Sequence, residues 1–462
     1  MQYKLTDINK EVFRAYDIRG IVTQQLDADA FYTIGKALGV RLYELKRNST
    51  ILARDGRLTS AHLAHALAQG LLDSGIDVTD LGEVTTPMMY YATNVSSIDS
   101  GFIVTGSHNP ANYNGIKMVL AGTTLVQADI QYLYTLITKN ITRDGNGTYN
   151  KLDICENYKQ RIVNTIQLQR PLKVVVDCGN GIAGPTVPII LQALGCEVIP
   201  LYCTVDGNFP NHHPDPSVET NLVDLINAVR QNDADIGLAF DGDADRLGVI
   251  TNTGEFICPD RLMMFYAPYI LKTNPGATIV FDVKCSNHLS SVIKAAGGKA
   301  MMCPTGHSIV KATMKREQAA LAGEMSGHIF FKDRWYGFDD ALYSACRLLE
   351  LLSQSDLSVN AQFANIPNSI NTPEIKIPIA DAEKFNFMQQ FTANASFPDA
   401  RMITIDGLRI EFDYGWGLLR ASNTTPCLVA RFEAKDTESL SKIQSIFKMQ
   451  LHAIDTQLTI PF

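Results

Sequence analysis

The segment STILARDGR (residues 49–57) is a short β-branched run that stops at an aspartate and opens into a loop, and LKVVVDCGNG (172–181) and GATIVFDVKCS (276–286) repeat that pattern. Each is followed by a helical stretch running into a second strand, in GLLDSGIDVTDLGEV (70–84), ILQALGCEVIPLY (190–202) and VIKAAGGKAMMC (292–303). A glycine stands at each helix end, where a left-handed cap costs it least. Self-similarity of this kind outranks local propensity as a guide to architecture. It predicts three βαβ units. Further along each unit another strand breaks into a small-residue loop: FIVTGSHNP (102–110), IGLAFDGDADR (236–246) and ALAGEMSGHIF (320–330). Loops at the carboxyl ends of parallel strands line the ligand crevice, so the three converge if the units face one another.

The C-terminal part breaks the pattern. TPEIKIPI (372–379) reads as a strand, DAEKFNFMQQFTANA (381–395) as a helix, and MITIDGLRIEF (402–412) as a hairpin turning at Asp406-Gly407. A fourth small-residue loop follows, RASNTTP (420–426). The expected fold is therefore α/β: three repeated mixed α/β domains, 1–152, 153–255 and 256–367, and a smaller α+β domain, 368–462.

With 462 residues, 46% hydrophobic and 19% charged, the chain can bury several cores. A formal net charge of −8 argues against nucleic acid or an anionic membrane as partner, since phosphate backbones want a basic face. The N-terminal MQYKLTDINKEVF lacks the apolar stretch of a signal peptide, and no run approaches the roughly 20 apolar residues of a membrane span. A cytoplasmic protein is expected. The nine cysteines are scattered singly, without a CxxC pair, and read as reduced, mostly buried thiols.

DGDADR sets Asp241, Asp243 and Asp245 in alternation before Arg246. Three carboxylates so close repel one another unless a cation neutralises them, and all-oxygen ligation suits Mg²⁺. An EF-hand would need glycine and glutamate at its sixth and twelfth positions, where Arg246 and Asn252 stand. Ser107, followed by His108, Asn109 and Pro110, does not sit in the G-x-S-x-G elbow of a hydrolase. A serine oxygen beside a three-carboxylate metal site suits phosphoryl chemistry instead, with Ser107 itself on the metal and Lys117 and Arg246 as a cationic clamp. In GEMSGH, Glu324 and Ser326 lie two apart on one side of an extended loop, a pair suited to adjacent sugar hydroxyls. In RASNTTP, Arg420, Ser422, Asn423 and Thr424 surround exposed backbone amides, the ingredients of a phosphate nest.

CGNGIAG (178–184) contains a G-x-G-x-x-G, but in one repeat of three and two residues late, so tight strand-to-helix packing is the expectation there. His62 and His65, and His212 with His213, read as structural rather than as metal ligands.

Taken together, VTGSHNPANYNGIK, DGDADR, GEMSGH and RASNTTP resemble, in order and spacing along nearly the whole chain, the α-D-phosphohexomutase family, and within it the bacterial phosphomannomutase/phosphoglucomutase branch. FRAYDIRG (13–20) and DGNFPNHHPDP (206–216) share the likeness. The resemblance implies four domains around a central cleft, with Ser107 as a phosphoserine, the three aspartates on Mg²⁺, and Glu324 and Ser326 on sugar hydroxyls. Arg420, Ser422, Asn423 and Thr424 would hold the phosphate not in transfer; Tyr16, Arg19, Lys117, Arg246, Lys284 and His307 would line the cleft. Phosphoserine 107 would phosphorylate a hexose 1- or 6-phosphate of mannose or glucose, giving a 1,6-bisphosphate that turns round before Ser107 takes the other phosphate back. That bisphosphate would also serve as activator, sugar phosphates would be the partners, and the chain would act as a monomer. Lys117, His307 and His328 are all candidates for the general acid/base. The rivals are a metal-dependent sugar phosphatase, which needs no second phosphate nest, a sugar-phosphate sensor, which the intact Ser107 and aspartates disfavour, and phosphoglucosamine mutase, whose Ser-Gly-Thr-Glu-Pro loop differs from the SNTTP here.

Overall fold

The structure, a computed structural model, describes residues 3–423 and 425–462. Four sheets follow one another along the chain. The first three share one core pattern. In the first, Ser49–Arg54 lies between Asp77–Glu83 and Gly101–Val104, parallel to both, and Gly101–Val104 then pairs antiparallel with Tyr113–Leu120. In the second, Lys173–Asp177 lies between Glu197–Leu201 and Ile236–Phe240, and Leu247–Thr251 returns antiparallel. In the third, Thr278–Asp282 lies between Lys299–Cys303 and Leu321–Gly323, and Ile329–Phe331 returns antiparallel.

The three expected βαβ units are present, with Ser60–Leu72, Val187–Ala193 and Asn287–Ala295 as crossover helices. A parallel pair needs such a crossover, whereas the antiparallel return needs only a tight loop. The three small-residue loops occupy those returns, pinned on both sides by ladder pairs such as Phe240↔Leu247 and Gly323↔Ile329. Their strands are buried throughout, as in Ile236–Phe240, so the loops leave a rigid base.

The first sheet is widened by Ile18–Ile21 and Tyr149–Lys151 at its edges, and the second by Phe256–Ile257. One hydrophobic core runs through the first three domains, joining Met88, Val176, Phe240, Leu262, Phe281 and Leu342. The last domain is an antiparallel sheet with the helices Lys384–Asn394 and Thr437–Ile454 and a core of its own around Phe391, Leu408, Phe432 and Phe447. The strand and helix expected there appear as Ile375–Pro378 and Lys384–Asn394, and the hairpin pairs Arg401–Ile403 with Leu408–Phe412.

The last domain meets the third through a small cluster of Val283, Trp416 and Leu418 and through buried arginines. Arg409 donates to the Val283 and Cys285 carbonyls at 2.5 and 2.8 Å and stacks 3.7 Å above the Trp416 ring centroid. This joint is mostly polar and directional, unlike the continuous core of the other three. Among the described residues no helix is long and apolar enough to cross a membrane.

Candidate active site

Ser107 is 1% exposed and has φ 51°, a left-handed conformation that a residue with a Cβ seldom adopts. Its loop is held in that shape from beneath. Thr105 Oγ1 donates to Asp55 Oδ2 at 2.8 Å, and Ser107 N donates to Thr105 Oγ1 at 2.8 Å. The buried Arg57 guanidinium donates to four carbonyls of the same loop: Ser107 (2.7 Å), Asn109 (2.6 Å), Pro110 (2.6 Å) and Tyr113 (3.1 Å). Its Nε reaches Asp55 Oδ2 at 3.2 Å. The planar fork of Arg suits such convergent acceptors. The turn aims Ser107 Oγ at Asp241 Oδ2, 3.3 Å away.

Asp241, Asp243 and Asp245 are fully buried and present ligand oxygens all within 4.8 Å of one another. The loop takes this shape through Ala244, at φ 66°, and through Asp241 Oδ1, which accepts from the Asp245 and Arg246 amides at 3.0 and 3.1 Å. Gly242 has no side chain because a Cβ would stand 2.4 Å from the Ser107 carbonyl, so the two loops touch backbone to backbone. Lys117 Nζ bonds Asp243 Oδ2 at 2.6 Å and also Asp245, and Thr86 Oγ1 donates to Asp243 Oδ2 at 2.6 Å.

Lys117 and Arg246 stand against three carboxylates, which leaves the cluster short of positive charge, and among the described residues Asp243 Oδ1 and Asp245 Oδ1 are buried without hydrogen-bond partners. Burial, then the charges of Asp243 and Asp245, push the Asp241 carboxyl well above its ordinary range. Burial alone would lower the Lys117 pKa; Asp243 and Asp245 overcome it and hold the ammonium well above its ordinary value. A hard divalent cation fits this all-oxygen set by both charge and the unpartnered carboxylate oxygens.

In the third loop Glu324 is buried and accepts from Gly306 N, at the start of helix His307–Arg316, at 2.6 Å; Ser326 is half-buried beside it. Arg246 Nε donates to His328 Nε2 at 3.1 Å, which assigns the ring proton to Nδ1. That nitrogen stands 3.1 Å from Asp339 Oδ2 and 3.6 Å from Asp245 Oδ1. His307 Nδ1 lies 3.8 Å from the same Asp339 oxygen, and the two imidazoles stack with centroids 5.6 Å apart. Lys311 Nζ bonds Asp339 Oδ1 at 2.8 Å. Burial opposes the Asp339 charge, but Lys311 and the His328 ring overcome it and hold the carboxyl well below its ordinary range. Burial, then Lys311, keeps the His307 imidazole neutral by lowering its pKa well below the usual value.

The remaining groups link the domains. Arg19 donates to Asn109 Oδ1 at 2.6 Å and pairs with Asp17. Tyr16 donates to the Thr305 carbonyl at 2.7 Å and accepts from Asn423 Nδ2, tying the first, third and fourth domains together. Arg420 Nε reaches Asp406 Oδ2 at 2.9 Å, and that oxygen also accepts from Thr305 N at 3.0 Å. Ser422 Oγ lies 2.8 Å from Thr425 Oγ1. Lys284 Nζ pairs with Glu374 Oε1 at 2.6 Å across the third and fourth domains. Thr424 lies outside the described residues.

Asp55, Arg57, Lys311 and Asp339 are absent from the sequence reading. Asp55 and Arg57 stand in the very segment that revealed the repeat, where they count only as strand ends, and nothing local to Asp339 announces that Lys311 and two histidines turn towards it. His62 and His65 face solvent, and His212 Nε2 lies 3.0 Å from Asp177 Oδ2. In CGNGIAG, Gly184 packs on the Cys203 carbonyl, 1.9 Å from where a Cβ would stand.

Four family models match in chain order: phosphoglucomutase/phosphomannomutase alpha/beta/alpha domain I over 10–144, domain II over 155–254, domain III over 258–369, and the C-terminal domain over 374–448. A phosphomannomutase/phosphoglucomutase of Pseudomonas putida is 51% identical over 451 residues, 98% of this chain and 97% of that one. A phosphoglucomutase of Neisseria gonorrhoeae is 48% identical, covering 96% and 97% of the two chains. The crystal structure of a phosphoglucomutase/phosphomannomutase family protein from Burkholderia thailandensis superposes with a TM-score of 0.95 at 46% identity, over 98% of this chain and 100% of that one. With a serine, three aspartates and a set of cationic side chains gathered where four such domains meet, the chain belongs to the phosphoglucomutase/phosphomannomutase family, the α-D-phosphohexomutases.

Proposed function

We propose that this enzyme interconverts the 1- and 6-phosphates of mannose and glucose through a phosphoserine at Ser107 and a hexose 1,6-bisphosphate, which also serves as activator. The observation that carries the reading is Ser107 Oγ, buried and 3.3 Å from Asp241 in a ring of three carboxylates. Asp241, Asp243 and Asp245, with the oxygen on Ser107, would hold Mg²⁺. Bound there, the ion offsets charge that develops on the transferring phosphoryl group.

The protein's own groups then divide the work. The free sugar hydroxyl loses its proton as its oxygen bonds to phosphorus and the bond from phosphorus to Ser107 Oγ breaks, and the second transfer reverses these events at the other end of the sugar. Lys117, His307 and His328 remain the candidates for that proton, the Nδ1 atoms of the two histidines lying 3.8 and 3.1 Å from the same Asp339 oxygen. Glu324 and Ser326 bind the hydroxyls at carbons 3 and 4. Arg420, Ser422, Asn423 and Thr424 hold the phosphate not in transfer, with Tyr16, Arg19, Lys284 and Arg246 around the sugar phosphate. An arginine and backbone nest recognises phosphate rather than sugar, so it accepts either end of the intermediate. Divisions at 1–152, 153–255, 256–367 and 368–462 put the nest on a domain with its own core, free to open and close about a hinge near residue 367. We further read the protein as a cytoplasmic monomer.

The test is a coupled assay of hexose 1-phosphate to 6-phosphate conversion with mannose, glucose and glucosamine phosphates, bisphosphate present, on wild type and Ser107→Ala. Loss of the covalent nucleophile should lower turnover by orders of magnitude, and peptide mass analysis should find phosphate on the Ser107 peptide. Release of inorganic phosphate as the main product, or normal turnover by Ser107→Ala, would overturn the reading.

A further inference from the structure

Cys178 follows the strand Lys173–Asp177, and Cys203 stands two residues beyond the neighbouring strand Glu197–Leu201. The two strands are parallel, with Asp177 opposite Leu201, and Cys178 N donates to the Leu201 carbonyl at 3.1 Å. At Tyr202 the backbone takes φ 51° and turns, and the two free thiols meet with sulfurs 3.4 Å apart. Cys178 is fully buried and Cys203 half-buried.

We infer that Cys178 and Cys203 form a reversible disulfide under hydroperoxide, and that this oxidation switches the enzyme off by shifting the supports of Ser107. Burial holds the Cys178 thiol well above its ordinary pKa, so the first attack falls to Cys203, the less buried residue of the two. Cys203 Sγ takes an oxygen from the hydroperoxide, which leaves as the alcohol or as water, and becomes a sulfenic acid. Cys178 Sγ then attacks that sulfur; the S–S bond forms, the S–O bond breaks, and water departs with the Cys178 proton. A dithiol reverses the change by exchange.

Both ends of the pair lead to the active site. A disulfide draws its sulfurs to about 2.05 Å, so from 3.4 Å they must approach by more than an ångström, and whatever side-chain rotation does not supply is taken from the two loops. On one side, Cys178 O accepts from Gly181 N at 2.7 Å, and the next residue, Ile182, donates to the Gly242 carbonyl of the aspartate loop at 3.2 Å. On the other, Thr204 O accepts from Asn180 Nδ2 at 2.8 Å, and the chain runs on to Phe209, whose ring lies under the Arg57 guanidinium at 5.0 Å. Arg57 is the side chain that holds the Ser107 loop. Misplacement of reacting groups by about an ångström costs on the order of 10²-fold in rate.

The experiment treats the full-length protein with hydrogen peroxide, maps linked peptides, and follows mutase activity before and after dithiothreitol. A peptide joining Cys178 to Cys203 should appear, with activity lowered at least about tenfold and restored by dithiothreitol. Cys203→Ser and Cys203→Ala should start with ordinary activity and resist the treatment. The linked peptide is read without reference to turnover, so its failure is distinct from any failure of the mutase reading. If peroxide oxidises other cysteines while no 178–203 link forms, or the link forms without loss of activity, or the Cys203 variants are inactivated as fast as wild type, the pair is packing alone and the proposal falls.

Discussion

Arg57 offers the sharpest test of how this site is built, because it touches the Ser107 loop at four carbonyls and has no part in the chemistry. In Arg57→Ala those carbonyls, now bonded at 2.6–3.1 Å, lose a charged donor, and Asp55 loses its partner at 3.2 Å. A hydrogen bond to a charged group contributes about 1.5–3 kcal/mol, and breaking one side of a buried pair costs about 3–5 kcal/mol. The contacts are not additive, so the second range is the expected loss of stability. The Ser107 turn, left-handed at φ 51°, then rests on the bond from Ser107 N to Thr105 Oγ1 and on those from Thr105 and Gly106 to an Asp55 that has lost its own cationic partner, and it should relax towards an ordinary backbone conformation. A shift of about an ångström at Ser107 Oγ should lower kcat by about 10²-fold, equivalent to about 2.7 kcal/mol in the barrier. The coupled mutase assay should show kcat falling with KM little changed, since Arg57 is sealed beneath the loop. Arg57→Lys, which keeps the charge but has one nitrogen for four acceptors, should recover only part of the rate. An Arg57→Ala enzyme with wild-type kcat, or a loss confined to KM, would refute the positioning role.

Three further outcomes are expected. Activity should vanish with a chelator and return with Mg²⁺, and Asp243→Asn should weaken metal binding measured by calorimetry together with turnover; normal turnover by the metal-free enzyme would sink the metal reading. Glu324→Ala should depress mannose and glucose phosphates alike, and the two wild-type kcat/KM values should lie within about two powers of ten, because the sugars differ at carbon 2 while Glu324 and Ser326 are assigned to carbons 3 and 4; loss of one epimer alone would show a group reading carbon 2. Burial pushes the Asp340 carboxyl up from 3.8 to about 7, so the folded state keeps a proton that the unfolded chain releases, and this group's contribution to stability is lost as pH rises from about 4 to about 7. Asp340→Asn should therefore gain stability relative to wild type between pH 5 and 7, by up to about 1.4 kcal/mol per pH unit, and denaturant midpoints that run parallel would refute it.

The repeat was legible because strands, crossover helices and turn glycines are coded by neighbours in the chain, through side-chain periodicity and backbone preference. The same holds for the aspartate loop: three carboxylates in five residues carry their own electrostatic demand for a cation wherever they are placed. Tertiary structure alone decided who meets whom. Lys117 is 126 residues from Asp243, and no local pattern says that its ammonium lies between two of the aspartates. Arg57 and Asp339 carry no motif, because an acceptor or donor placed by packing has no fixed spacing to its partner. The continuous core beneath the first three domains, against the polar joint of the fourth, is likewise a property of surfaces meeting, and a sequence records such surfaces only as apolar residues of unknown destination.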